Sequence, residues 1–398
     1  MLYIHLLTIA LLSIAVGTLF FWDKLLTTTT TKPDLHQSTL SKNHLQSLDG
    51  LRGLLASFVF LHHAMIWYFY IQNGVWQSPP TYLFYYFGTG SVLFFFMITA
   101  FLFFSKITSN ANSKDFDWLR LYVSRFLRIA PLYLFAVFMM FGFVAYETNF
   151  TLIDEISELR ENAIHWLFFG LLSLQELNGV DAMRIFAGVV WTLPYEWCFY
   201  FLLPIWGLLY RIKVPKVFYL IIILGIILAG KNRIYLPFFL GMLSVYLYQL
   251  RFVQSFANHP IASLVIITSC SLPILLSLNP LDWEAQLCLF TAFTLIVAGN
   301  DLFGLLSARP MRRLGDISFS IYLLHPLVLY CTMKFIIGMD RAQQLSPSEY
   351  IGVIFIITPI LITICCFTFR WIESPAIASV NLWTQKIRGF KQLIFKKQ

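Results

Sequence analysis

Apolar runs of about fourteen to twenty-four residues recur along nearly the whole chain, parted by short polar or basic loops. That pattern predicts helices that cross a bilayer. Ten spans are expected, at 53–72, 82–105, 129–148, 191–210, 217–230, 234–250, 261–278, 285–305, 317–338 and 349–370. A further segment, LYIHLLTIALLSIAVGTLFF at 2–21, is long enough to cross but has no basic stretch before it. It reads as a transmembrane anchor or uncleaved signal over 1–21. The stretch 22–46, with TTTTTK and alternating polar residues, reads as a flexible linker. The expected fold is all-α: a polytopic membrane protein with a ten-span helical core at 47–376, one N-terminal hydrophobic segment, and one short re-entrant or interfacial helix. A basic tail occupies 377–398.

Charge tests this topology. With Arg52 placed inside, the second span returns to a loop holding Lys106, Lys114, Arg120, Arg125 and Arg128. Later spans return to Arg211, Lys213 and Lys216, to Arg251, to Arg309, Arg312 and Arg313, and to the tail, as the positive-inside bias requires. The opposite loops carry Asp154, Glu155, Glu158 and Glu161, and Asp282 and Glu284. Lys231 and Arg233 are the outer exception. The parity holds only if the apolar run 165–174, about ten residues and too short to span, does not cross.

Composition agrees: 58% of residues are hydrophobic and only 12% charged, far from a soluble globular chain. The net charge of +8 sits in short loops that encode orientation, which argues against a nucleic-acid partner. Six cysteines (Cys198, Cys270, Cys288, Cys331, Cys365 and Cys366) lie in apolar segments without metal-ligand spacing, so neither a disulfide framework nor a metal is expected.

Several polar residues stand where lipid-facing helices would have none. In LDGLRGLLASFVFLHH, Arg52 and His63 are eleven residues apart, three helical turns, so they share a face, while His62 points about 100° away. At 1.5 Å per residue His63 lies roughly 16 Å below Arg52, near mid-bilayer. Ionisable side chains at that depth face a cavity or the bundle interior, and a neutral imidazole can accept a proton. The plainer reading is a core histidine hydrogen-bonded to a neighbouring helix. In RFLRIAPLY, Arg125 and Arg128 lie a turn apart at the inner mouth of the third span, with Pro131 in its first turn. Paired guanidiniums can clamp phosphate, or simply anchor the helix.

WTLPYEWCFYFLLP places Glu196 in the outer part of the fourth span, with Tyr200 one turn deeper. A carboxylate inside an apolar helix needs a partner or a proton. In LGDISFSIYLLHPLVL, Ser318, Tyr322 and His325 form a polar stripe, and Asp316 reads as a helix N-cap. In FRWIESPAI, Glu373 meets the inner surface, where a salt bridge with Arg370 or another arginine is as good a reading as catalysis.

Together and in this order, LDGLRGLLASFVFLHH, RFLRIAPLY, WTLPYEWCFYFLLP, LGDISFSIYLLHP and WIESP resemble the bacterial integral-membrane acyltransferases of type 3, over residues 47–376. One departure is clear. Where that family shows a phenylalanine-rich run ending Ser-Gly-Phe-Leu, this chain has FFFMITAFLFF, with Thr99 and Ala100 in place of Ser and Gly. The family's occasional periplasmic hydrolase-like domain is not expected here, because no stretch of these residues is long and polar enough for a separate soluble domain. The resemblance implies O-acylation, with acetyl-CoA or another acyl-CoA as cytoplasmic donor. It further implies an envelope carbohydrate acceptor, such as a lipopolysaccharide O-antigen or other exported polysaccharide, and residence in the bacterial inner membrane.

On that reading Arg52, Arg125 and Arg128 hold a coenzyme A phosphate at the inner mouth. His63 acts as general base or carries the acyl group itself. His325 and Tyr322 orient His63 or stabilise the oxyanion, and Glu196 approaches from the outer side, where sugar would enter. The competing readings are an acyltransferase acting on lipid or protein, and a membrane transporter. No internal repeat or paired broken helices favour the transporter.

Overall fold

The computed structural model describes residues 42–109, 116–172, 174–211 and 233–395, with isolated positions near 14–18 and 223–227. The expected anchor at 1–21 and linker at 22–46 lie largely outside the described residues, as does the expected span 217–230. Everything described is helix, turn or loop, apart from a single two-residue bridge between Leu177 and Val180.

The long helices are α1 (Lys42–Asn73), α2 (Tyr82–Ser109, with a π turn at Tyr86–Gly90) and α3 (Trp118–Glu147). A short helix α4 (Ile156–Leu167) precedes α5 (Leu193–Arg211). Then follow α6 (Leu236–Leu247), α7 (Arg251–Ala257), α8 (Pro260–Leu275), α9 (Trp283–Val297) and α10 (Arg309–Asp316). The chain closes with α11 (Ser318–Cys331, running on into a π turn to Ile337), α12 (Pro347–Thr368) and α13 (Val380–Phe395).

Among the described residues, five helical stretches are long and apolar enough to cross a membrane: Gln46–Asn73, Tyr82–Ser109, Trp118–Glu147, Ser318–Ile337 and Pro347–Phe390. The pair α6–α7, bent by 101°, makes a sixth if taken as one broken span. α8 and α9 have 16 and 15 residues, roughly 24 and 22 Å, short of a 30 Å hydrocarbon core. The expected number of ten is therefore not reached among the described residues.

Small residues set where helices meet. Gly50 and Gly53 of α1 lie against Leu306 and against Leu314 and Gly315 of α10, too close for any Cβ. Close backbone approach through small residues is how helices associate where no hydrophobic effect separates them from lipid. At the departure noted in α2, Ala100 is fully buried, and the glycine comes from the partner helix. Gly241 of α6 sits against Met97 and Ala100.

α3 begins at Trp118, capped by the Asp117 side chain, about two turns before Arg125. Pro131 therefore lies mid-helix, not in the first turn as expected. α3 also serves as a ruler. Tyr122 donates to the Tyr200 carbonyl at 3.1 Å and the Trp118 ring packs beside Gly207, so α3 and α5 run antiparallel. On that register α5 starts at Leu193 about level with residue 129, and roughly 27 Å of α3 continues past it.

That gap is filled by the chain between α3 and α5. α4 descends until Trp166 accepts from the Tyr133 hydroxyl, fourteen residues, or about 21 Å, below the end of α3. The chain then climbs to Asn178, which bonds Thr148, Thr151 and Ile153 at the end of α3, and descends again through Ala182–Ile185 into α5. The described residues of the apolar run 165–174 form the turn at the bottom of this excursion and build no spanning helix. Of the two outer exceptions, Lys231 lies outside the described residues and Arg233 pairs with Asp282 at 3.6 Å, which neutralises it locally.

Candidate functional site

Adjacent positions on α1 divide two histidines between two neighbours. The His62 ring turns to α2: its Nδ1 lies 2.7 Å from the Phe84 carbonyl, and a Cβ on Gly88 would come within 2.5 Å of it. His62 thus secures the π turn at Tyr86–Gly90, and its ring leaves room only for glycine at 88. His63 turns to α11, where His325 Nε2 lies 3.0 Å from His63 Nδ1. Both imidazoles are buried, His325 completely.

Hydrogen-bond direction fixes the tautomers. A carbonyl only accepts, so His325 Nδ1, 2.8 Å from the Ile321 carbonyl, carries a hydrogen. In the neutral ring its Nε2 is then an acceptor and must receive from His63 Nδ1–H. The same His63 N–H also faces the Val59 carbonyl at 3.0 Å. This chain of donors leaves Nε2 of His63 unprotonated. The Ala187 carbonyl also faces the His63 ring, placed to accept once that ring is protonated. Ala187 takes φ 47°, and Gly188 follows at 73°. A non-glycine residue in the left-handed region is held there against a cost of about 1 kcal/mol, and such outliers gather at functional sites.

Tyr322 is placed otherwise than expected. Its hydroxyl donates to the Val189 carbonyl at 2.8 Å and lies 3.0 Å from Thr192 Oγ1, while its ring meets His325 edge-on with centroids 6.5 Å apart. It ties α11 to the turn that carries Ala187, and is a strut between those elements.

Below the histidines the polar residues converge. Arg52, Arg125 and Arg128 stand within electrostatic range of one another. Glu196 sits with them, interacting with Arg125 and Arg52. Because α5 starts deep, a carboxylate expected in the outer part of its span is level with the arginines, and the expectation of an outer approach is corrected. Tyr200 donates to Glu196 Oε2 at 3.2 Å and bonds Arg125 as well. Arg125 is further held over the Phe103 ring at 4.7 Å, yet its Nε is buried with no hydrogen-bond acceptor among the described residues. Arg128 pairs with Glu373 at 3.4 Å, and Glu373 also accepts from Ser320. The arginine that Glu373 meets is therefore Arg128. Asp316 ends α10 and pairs with Arg313 at 3.2 Å, so it is not the N-cap that was expected.

The arrangement is a line: three guanidiniums at one end of α1, and an imidazole with a free ring nitrogen some 16 Å along it. Tyr200 was legible as the i+4 partner of Glu196. The Ala187 carbonyl left no trace in the sequence beyond the glycine that follows it. Residues 45–370 match the pattern of an acyltransferase domain. No curated protein and no solved structure matches the chain.

Proposed function

The chain belongs to the type 3 family of membrane acyltransferases, and on that premise we propose that it moves an acyl group, acetyl above all, from cytoplasmic acyl-CoA to a hydroxyl of an envelope carbohydrate. The observation that carries this reading is the 3.0 Å contact of His63 Nδ1 with His325 Nε2, whose direction leaves His63 Nε2 available to accept a proton. A hydroxyl oxygen attacks the thioester carbon and its proton passes to His63 Nε2. The carbon–sulfur bond then breaks, and the coenzyme A thiolate takes the proton. His325 touches no substrate in this scheme and is a positioning residue. The imidazolium formed in passing has the Val59 and Ala187 carbonyls to donate to.

At the donor end, the buried and unsatisfied Arg125 Nε supports a phosphate site, because a ligand oxygen would fill a vacancy worth about 1–3 kcal/mol. Arg52 and Arg128 supply further charge. An extended pantetheine arm covers the distance from there to His63. Metabolites with this division of donor and acceptor suit a protein whose arginines gather at one end and whose acidic loops gather at the other.

The direct test compares envelope polysaccharide from cells with and without the gene by mass spectrometry. Loss of acyl groups is expected; an unchanged acylation pattern overturns the reading. In membranes, Arg125→Lys is expected to raise KM for acyl-CoA about tenfold with little change in kcat, since lysine offers one point charge where arginine offers a fork. An unchanged KM would make the arginine a mere helix anchor.

A further inference from the structure

Beyond the histidines, on the side away from the arginines, α3 and α11 end around an open cavity of about 550 Å³ lined by Tyr146, Glu147, Asn149, Phe150, Lys334 and Phe335. We propose that this cavity is the docking site of the carbohydrate acceptor, an inference that rests on the function proposed above and gives that reaction its second substrate site.

The lining has the chemistry of sugar recognition. Sugars present C–H faces that stack on aromatic rings, and hydroxyls that seek both donors and acceptors. Phe150 and Tyr146 are 81% and 62% exposed, rings held out with little else to cover them. Between them lies a polar set that lipid would not tolerate bare. Glu147 accepts from the Tyr330 hydroxyl and lies 3.8 Å from Lys334 Nζ. An acceptor, a cation and the Asn149 amide thus sit among rings, and a pair already neutral in sum favours a polyhydroxylated ligand over an ion.

Two backbone irregularities shape the cavity. Asn149 and Phe150 both take positive φ, 48° and 56°, which turns the chain back at the tip of α3. Lys334 is carried by the π turn Thr332–Ile337, a departure from regular helix common at functional sites.

The cavity is also wired to the chemistry. Glu147 lies in electrostatic range of Arg184, which donates to the Tyr70 hydroxyl at 2.7 Å. Tyr70 is seven residues past His63 on the same face of α1, about 10 Å. Arg184 is three residues before Ala187, the residue whose carbonyl meets the His63 ring. Arg52 and His63 thus follow one another along α1, and Tyr70 and Arg184 continue the line to Glu147 of the cavity.

The experiment uses full-length protein in detergent, with oligosaccharides released by mild hydrolysis from the producing cell's own envelope polysaccharide as probe. Phe150→Ala, at an exposed loop tip, and Lys334→Met are each expected to raise the acceptor KM five- to tenfold, leaving KM for acyl-CoA and kcat within twofold. Ile336→Ala, exposed beside the cavity but not lining it, should match the wild type. Direct titration by tryptophan fluorescence separates the two claims. His63→Ala should still bind the oligosaccharide as the wild type does while transferring nothing, and Lys334→Met should bind it several-fold more weakly. Unchanged acceptor KM and unchanged binding in both cavity variants overturn the site. Absence of any acyl transfer by the wild type, with oligosaccharide binding that depends on Phe150 and Lys334, overturns the proposed reaction and leaves the site standing.

Discussion

His63→Ala is expected to lower acyl transfer by a thousandfold or more while the protein still inserts and folds. A general base contributes about 10²–10⁴ in rate, and here no second base is placed to replace it. His62 is spent on the Phe84 carbonyl, on another face of α1, and His325 has both nitrogens engaged within the bundle. The structural cost is bounded. Removing the ring leaves His325 Nε2 without its donor, about 1–3 kcal/mol, and creates a small cavity, whereas the Val59 carbonyl remains within a continuous helix. His62→Ala supplies the contrast. It should destabilise the π turn at Tyr86–Gly90 and lower the Tm, yet keep most of the transfer rate in the protein that folds.

The same dyad makes a graded prediction. His325→Ala removes the acceptor that holds His63 Nδ1–H, freeing the ring to rotate or change tautomer, and a fall of about a hundredfold in kcat is expected. His325→Gln can offer an amide oxygen near the former Nε2 and should recover part of it, with KM for acyl-CoA unchanged in both. Radiolabelled acyl transfer in membrane vesicles, beside quantification of inserted protein, reads all four variants. Wild-type transfer by His63→Ala would remove the base from the scheme.

How much of this was legible in the sequence depends on which physical rule governs each residue. Helical spacing put Arg52 and His63 on one face of α1 and separated His62 from them, because the period of a regular helix leaves no choice. The pairing of His63 with His325 joins residues 262 apart, and spacing within each helix could only place them at similar depths. The position of Glu196 was misread for a related reason. Hydropathy started its span at Trp191 and assumed that a span begins at the membrane surface. In fact the preceding chain dives to the middle of the bundle before α5 starts, and no periodicity marks that dive. Pro131 was misread as a first-turn proline because the eleven residues 118–128, with Arg120, Arg125 and Arg128 among them, read as loop. They extend α3 instead, once Asp117 caps it. Tertiary contacts between irregular backbone and helix, such as the Ala187 carbonyl with His63, have no linear signature at all.

Gly315→Ala is expected to be among the most destabilising single-methyl changes in the chain, by about 3 kcal/mol or more, where overpacking in a tight core ordinarily costs about 1–3. The new Cβ would land on the carbonyl group of Asp49, which is backbone and cannot swing away as a side chain would. The contact is reciprocal, since a Cβ on Gly53 would come within 2.5 Å of Leu314 Cβ and 2.7 Å of the Gly315 nitrogen. α10 would have to lift from α1 at the very turn that carries Arg52. The protein that survives should therefore show a raised KM for acyl-CoA together with its lowered Tm, whereas a purely global loss of stability would reduce the active fraction at constant KM. Gly352→Ala and Gly142→Ala are the controls. Both glycines lie within long helices with nothing inside 4 Å of a Cβ, so alanine should leave stability unchanged or raise it by about 0.5–1 kcal/mol. Thermal unfolding of the four proteins in one detergent decides the matter: a Gly315→Ala protein that melts with the controls would mean that α1 and α10 do not meet backbone to backbone, and that Arg52 is held in place by something else.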